Sequence, residues 1–140
     1  MIGRGDEKHD IRFRRIDLTR ANLGGANLTE ANLDYADLTG ANLTQANLSR
    51  ANLWNANLTN AFLPVADLTF ADLTSAILRG ADLEGTVLTH AKLQRADLSG
   101  ADPYGADLTS ANLTDATWPR DVAVPEGWKL DRLGPAKAGN

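Results

Sequence analysis

Residues 26–53 read ANLTEANLDYADLTGANLTQANLSRANL, with leucine at every fifth position and alanine two residues before each one. Followed in both directions, the five-residue phase holds from Ile11 to Arg120 without a slip, giving 22 units. Position one is Ala in 19 units, the exceptions being Ile11, Ile16 and Thr86; position three is Leu in 19, the exceptions being Phe13, Pro103 and Trp118. Position two is Asp or Asn in 16 units, and position four is most often Thr or Ser. Position five varies freely, which marks it as outward.

That period fits neither common secondary structure. A helix turns about 100° per residue, so a five-residue step moves each leucine by about 140° and leaves no apolar face. A flat strand alternates its side chains, so successive leucines would point to opposite sides. The chain must therefore bend once per unit, with positions one and three pointing inward while the remaining residues turn a corner. Closing such a path gives a coil, and stacked coils let buried N–H and C=O groups pair with the coils above and below. The reading is an all-β solenoid.

These runs resemble the pentapeptide-repeat proteins, whose pattern is A(D/N)LXX, and the resemblance covers roughly four fifths of the chain. It implies a right-handed quadrilateral parallel β-helix of four units per coil, here about five and a half coils. With four units per coil, residues n and n+20 stack. Leu43, Leu63 and Leu83 then share one inward column, beside Ala41 and Ala61. Asn22, Asn27, Asn32, Asn42, Asn47, Asn52 and Asn57 stack as amides in the first half. Val87 separates Asp67 from Asp107 and Lys92 separates Asp72 from Asn112, while Asp17 over Asp37 and Asp82 over Asp102 remain unrelieved. Outward stacking pairs Glu30 with Arg50, Arg14 with Asp34 and Arg95 with Asp115.

Large residues belong at the ends of such a rod. Ile11, Phe13 and Ile16 open it, Trp118 closes it, and Trp128 follows in a segment that leaves the repeat. The expected organisation is an N-terminal tail and cap over residues 1–10, the β-helix over 11–120, and a C-terminal cap and flexible tail over 121–140. Order is expected to stop near Leu133.

Composition narrows the function. The 140 residues carry a net charge of -4 and contain no cysteine, which excludes disulfides, thiolate zinc sites and a cysteine nucleophile. Residues 1–10 are charged and no run of 18 apolar residues occurs, so a cytoplasmic protein that does not enter a membrane is expected. His90 stacks beside Ser110 in the twenty-residue register, with Phe70 on its other side, but a convex wall offers no pocket or orienting acid, so no enzyme is expected. The Asp columns lack the glycine-aspartate pattern of calcium-binding β-rolls, and neither metal nor cofactor is expected. No basic stripe suggests direct contact with nucleic acid.

Trp54, Phe62, Pro64, Val65 and Phe70 are apolar residues at outward positions within one short stretch. Trp54, Phe62, Val65 and Phe70 are the candidate partner-binding surface, with Ile77 and Val87 extending the tendency. Tyr35 and Tyr104 each stand nearly alone in their columns and are weaker candidates. The expectation is a non-enzymatic structural or interaction rod that presents its outer surface to a protein partner. The resemblance supplies an alternative, because some family members inhibit DNA gyrase or shield it from quinolones by imitating duplex DNA. Residues 21–115 hold eleven acidic and four basic side chains, which suits a DNA-mimicking modulator of gyrase or another DNA-binding protein. The rod is short, however, and its tail has no apolar heptad to join two rods, so a monomer or weak end-to-end dimer is expected.

Overall fold

The computed structural model describes residues 15–131 and 134–137. Every parallel bridge in the repeat joins a position-two residue to the one twenty residues on, from Asp17↔Asp37 to Asp97↔Thr117. Four units therefore complete one coil, and residues ten apart lie on opposite sides. Taking the sides in chain order, side one holds the units that begin at residues 16, 36, 56, 76, 96 and 116. Side two begins at 21, 41, 61, 81 and 101, side three at 26, 46, 66, 86 and 106, and side four at 31, 51, 71, 91 and 111. Each straight segment is only about three residues long, so its rungs are isolated bridges rather than strands.

The unit at residues 56–60 shows why the five-residue pattern is stable, because all five of its N–H groups find acceptors. Ala56 N–H closes the preceding turn on Leu53 C=O at 3.0 Å; Asn57 N–H reaches down to Ala36 C=O at 2.9 Å; Leu58 and Asn60 N–H reach up to Ile77 and Arg79 C=O at 2.6 and 2.8 Å. The fifth, Thr59 N–H, donates to the Asn57 side-chain Oδ1 at 3.0 Å. Position two is Asp or Asn because its oxygen caps the position-four N–H, and position four is Thr or Ser because the hydroxyl donates to the same oxygen, as in Thr39 to Asp37 and Thr69 to Asp67. This local cap is the general role of position two. Amide stacking between coils is the lesser one, with Asn42 Nδ2 on Asn22 Oδ1 at 3.5 Å and Asn52 Nδ2 on Asn32 Oδ1 at 3.2 Å.

Position five is left-handed in every unit from Arg20 to Asp115, with φ between 55° and 61° at the non-glycine residues. Together with the Leu C=O to Ala N–H bond across each corner, this is a type II turn.

Leucine and alanine fill the interior. Leu43, Leu63 and Ala41 are fully buried, and Leu83 and Ala61 nearly so. Thr86, an exception at position one, is also fully buried, and its hydroxyl donates to Leu63 C=O at 2.6 Å.

Pro103 marks the end of upward pairing. The last bond of its class is Leu98 N–H to Thr117 C=O, and the chain leaves the repeat before a coil could form above Pro103. A residue without an N–H leaves no orphan donor there. Trp118 is buried and its Nε1–H donates to Val122 C=O at 2.9 Å, while Val122, Val124 and Trp128 pack on the core. The sequence reading ends order near Leu133. Among the described residues β1 (Trp128–Asp131) pairs antiparallel with β2 (Gly134–Lys137). At the other end Ile16 is about half exposed, and Phe13, Arg14 and the tail at 1–10 lie outside the described residues.

Candidate interaction surface

The four outward apolar residues singled out from the sequence do not share one patch. Phe62 stands in the middle of side two, and Val65 stands at its corner with side three. Phe70 is one corner further on, between sides three and four. Trp54 lies at the corner of sides four and one, diagonal to Val65.

Two of these corners are occupied by contacts within the rod. Trp54 meets Tyr35 edge to face, with ring centroids 5.3 Å apart, so Tyr35 is not isolated. Phe70 stacks on His90 at 4.6 Å with rings nearly parallel, and the Arg50 guanidinium lies 5.0 Å over its other face. Arg50 therefore engages the ring one coil above it, and Glu30–Arg50 does not close as an ion pair; Arg95–Asp115 does not either. Among the described residues the ion pair is Arg79–Asp97, on side one.

The unit at residues 61–65, AFLPV, is built differently. Phe62 supplies no oxygen to cap position four, and Pro64 supplies no N–H that needs a cap. The two departures match each other, so no buried donor is stranded, and Pro64 suits the second position of a type II turn. The other backbone bonds are kept: Phe62 N–H to Ala41 C=O at 2.9 Å, Leu63 N–H to Asp82 C=O at 2.8 Å and Val65 N–H to Glu84 C=O at 2.9 Å. Val65 has φ 58° and is the one β-branched residue among the described left-handed corners. Phe62 and Val65 are 51% and 60% exposed, without the aromatic partners that Trp54 and Phe70 have.

Above this unit on side two come Asp82 and Glu84, then Asp102 and Tyr104, the last 76% exposed. The Asp82 and Asp102 oxygens cap Glu84 and Tyr104 N–H at 3.0 and 3.1 Å. On the other sides Val87 separates Asp67 from Asp107, Lys92 lies between Asp72 and Asn112, and Ile77 lies between Asn57 and Asp97, while Asp17 lies directly beneath Asp37 on side one.

A groove of about 1000 Å³ lies between the last coil and the C-terminal segment, lined among others by Leu108, Trp118, Val122 and Trp128. The sequence reading did not foresee it, because it forms where the chain leaves the repeat. Its carboxylates are Asp107 and Glu126, and no histidine lines it. Among the described residues no group of three or more His, Asp or Glu converges as metal ligands would, and no helix is long and apolar enough to cross a membrane.

The family profile described as pentapeptide repeats matches residues 11–50, 46–85, 66–102 and 86–117, eight copies in all. The chain belongs to the pentapeptide-repeat family. Its fold is accordingly a right-handed quadrilateral β-helix. A pentapeptide repeat protein from the Arabidopsis thaliana thylakoid lumen is 32% identical over 74% of this chain and 72% of its own, with a TM-score of 0.70. A second, from the cyanobacterium Cyanothece 51142, is 28% identical over 85% of this chain and 97% of its own, with a TM-score of 0.65. No curated protein matches the sequence significantly. Pentapeptide-repeat proteins are in general structural repeat proteins rather than enzymes.

Proposed function

We propose that this protein is a non-enzymatic interaction rod that engages a protein partner through side two, around Phe62, Pro64 and Val65. The observation that carries the reading is the AFLPV unit. It forgoes both hydrogen bonds of the corner cap and puts a β-branched residue in left-handed backbone, while keeping every inter-coil bond of its neighbours. Neither change serves the interior, where Ala61 and Leu63 are unaltered and buried. Both put large apolar surface into water, which is how interaction sites differ from solvated walls. Trp54 and Phe70 form secondary corners of the same rod, each already in contact with a neighbour.

The second reading is a DNA-mimicking modulator of gyrase or a similar enzyme, and the acidic excess over residues 21–115 favours it. It ranks second because no position-two column stacks more than two acids in succession, whereas mimicry of a duplex needs a continuous run of charge. A gyrase supercoiling assay with micromolar protein separates the two, since the interaction rod leaves supercoiling unchanged.

The direct test uses three baits in extract of the source cell: the unaltered chain, Phe62→Asn/Pro64→Thr, and Trp54→Ser/Phe70→Ser. The first and third are expected to retain a common protein that the second loses. Equal recovery by all three refutes side two as the interface.

A further inference from the structure

We propose that side two is a docking strip for a basic amphipathic α-helix lying along the rod axis, with an apolar side chain over Phe62 and Val65 and Lys or Arg over Asp82, Glu84 and Asp102. The inference rests on the interaction reading above and adds the chemistry of the partner. Three features of side two converge on it.

The first is sign. Asp82 and Glu84 sit one rung above the apolar unit and Asp102 two rungs above it, and the units at 61–65, 81–85 and 101–105 contain no Lys or Arg. Arg79, the cation nearest in sequence, is taken by Asp97 on side one. The three carboxylates are thus left for a cation from outside, and complementary charge placed beside an apolar anchor sets orientation and register.

The second is spacing. Rungs repeat at about 4.8 Å. A helix laid along the axis returns a side chain to the same face every about 5.4 Å, so an apolar residue at i, with cations near i+4 and i+7, drifts by only about 1 Å over two rungs. An extended strand returns every about 6.7 Å and drifts by nearly 4 Å over the same distance. The apolar-acid-acid order of side two is therefore readable by a helix and poorly readable by a strand.

The third is access. Above the AFLPV unit both corners of side two are glycine, Gly80 and Gly100 on one edge and Gly85 and Gly105 on the other. The glycines themselves raise no side chain, so a cylinder about 10 Å across is flanked there by the adjoining corner residues, Arg79 and Ser99 on one edge and Glu84 and Tyr104 on the other, with the Asn60 side chain reaching over Gly80. A methyl on Gly85 would already touch Val65, 3.7 Å from its Cγ2.

The test is fluorescence anisotropy of the full chain with three synthetic peptides. One carries Leu at i and Lys at i+4 and i+7 in an alanine-rich helical background; the second has the same composition in strand alternation; the third has Glu in place of Lys. Asp82→Asn/Glu84→Thr/Asp102→Asn removes the charge but keeps the cap acceptor and uses residues native to lower rungs, Asn22, Asn42 and Thr44. Phe62→Asn/Pro64→Thr restores the ordinary unit. The helical basic peptide is expected to bind, to lose about tenfold or more in affinity to either variant, and to weaken with added salt only where the acids are present. Equal binding of the helical and strand peptides, indifference to the acid variant, or no binding by any peptide overturns the helix proposal. The bait experiment is read separately: a native partner still lost by Phe62→Asn/Pro64→Thr would leave the interaction reading standing without this one.

Discussion

A double-mutant cycle on Phe62 and Pro64 tests whether the corner cap governs what the repeat tolerates. Phe62→Asn alone supplies an acceptor to a position with no N–H, so the new oxygen gains nothing in the corner. Pro64→Thr alone supplies an N–H and a hydroxyl with no acceptor beside them. Together they rebuild the cap found one unit earlier, where Thr59 N–H donates to Asn57 Oδ1 at 3.0 Å and the hydroxyl joins the same oxygen. Two hydrogen bonds at about 0.5–1.5 kcal/mol each, in a partly solvated corner, give a favourable coupling of about 1–2 kcal/mol. The coupling is unaffected by the aromatic area lost with Phe62 or the chain stiffness lost with Pro64, because those terms cancel in the cycle. Urea unfolding of the four proteins, followed by β-sheet circular dichroism, yields the four free energies. If the two changes add to within about 0.3 kcal/mol, the cap is not what links positions two and four and the reading of AFLPV as a matched departure is refuted.

Other substitutions probe the interior and the acid response. Leu63→Ala, at a fully buried site shared by three coils, should lose about 2–5 kcal/mol in the same urea assay. Thr86→Ala removes a hydroxyl whose acceptor, Leu63 C=O, still receives Ala66 N–H at 3.0 Å, so the loss should stay near 1 kcal/mol. Thr19, Thr39 and Thr109, through hydroxyl and backbone N–H, hold the carboxyls of Asp17, Asp37 and Asp107 below the usual range. Burial pushes Asp97 the other way, but bonds from Ser99 and Arg79 outweigh it and its carboxyl is also lowered. A carboxyl lowered by folding stabilises above its unfolded pKa, about 4, and the benefit disappears as pH falls through the folded value. Urea midpoints should therefore drop on acidification below about pH 4, and Asp37→Asn with Asp97→Asn should flatten the drop; an unchanged pH profile contradicts the assignment.

The register was legible because it rests on side-chain volume. Ala and Leu fill nearly all of the interior, with Thr86 and Trp118 among the buried exceptions, so their period and the n+20 columns follow from the residues once four units close a coil. The corner chemistry was present in the sequence but harder to see. Glycine recurs at position five, at residues 25, 40, 80, 85, 100 and 105, and this is the mark of a left-handed backbone at that position. The coupling of Asp or Asn to a Thr or Ser two residues on is likewise the mark of the cap. The outward ion pairs were not legible. A long exposed side chain has several partners of nearly equal worth within reach, each about 0–1 kcal/mol, and Arg50 takes the Phe70 ring rather than Glu30. The grouping of Trp54, Phe62, Val65 and Phe70 needed the sides as well as the columns, since nearness in sequence spreads residues round a coil.

The cap separates charge from fold, because a carboxylate and an amide oxygen accept the position-four N–H equally well. Asn42 and Asp82 occupy the same column of side two and cap Thr44 and Glu84 at the same 3.0 Å. Choosing Asp over Asn thus changes the field of the rod with little effect on its corners. On intramolecular grounds Asn is the better choice where two such residues stack, since like charges on adjacent rungs repel. Asp82 lies directly beneath Asp102 all the same, with Glu84 beside it and no cation on that side to relieve them. One amide would remove that repulsion without disturbing a single backbone bond, and unlike the Asp17–Asp37 stack on side one it stands directly above an exposed apolar unit. A cation arriving from outside relieves it, and the apolar unit immediately below sets where that cation's chain must run.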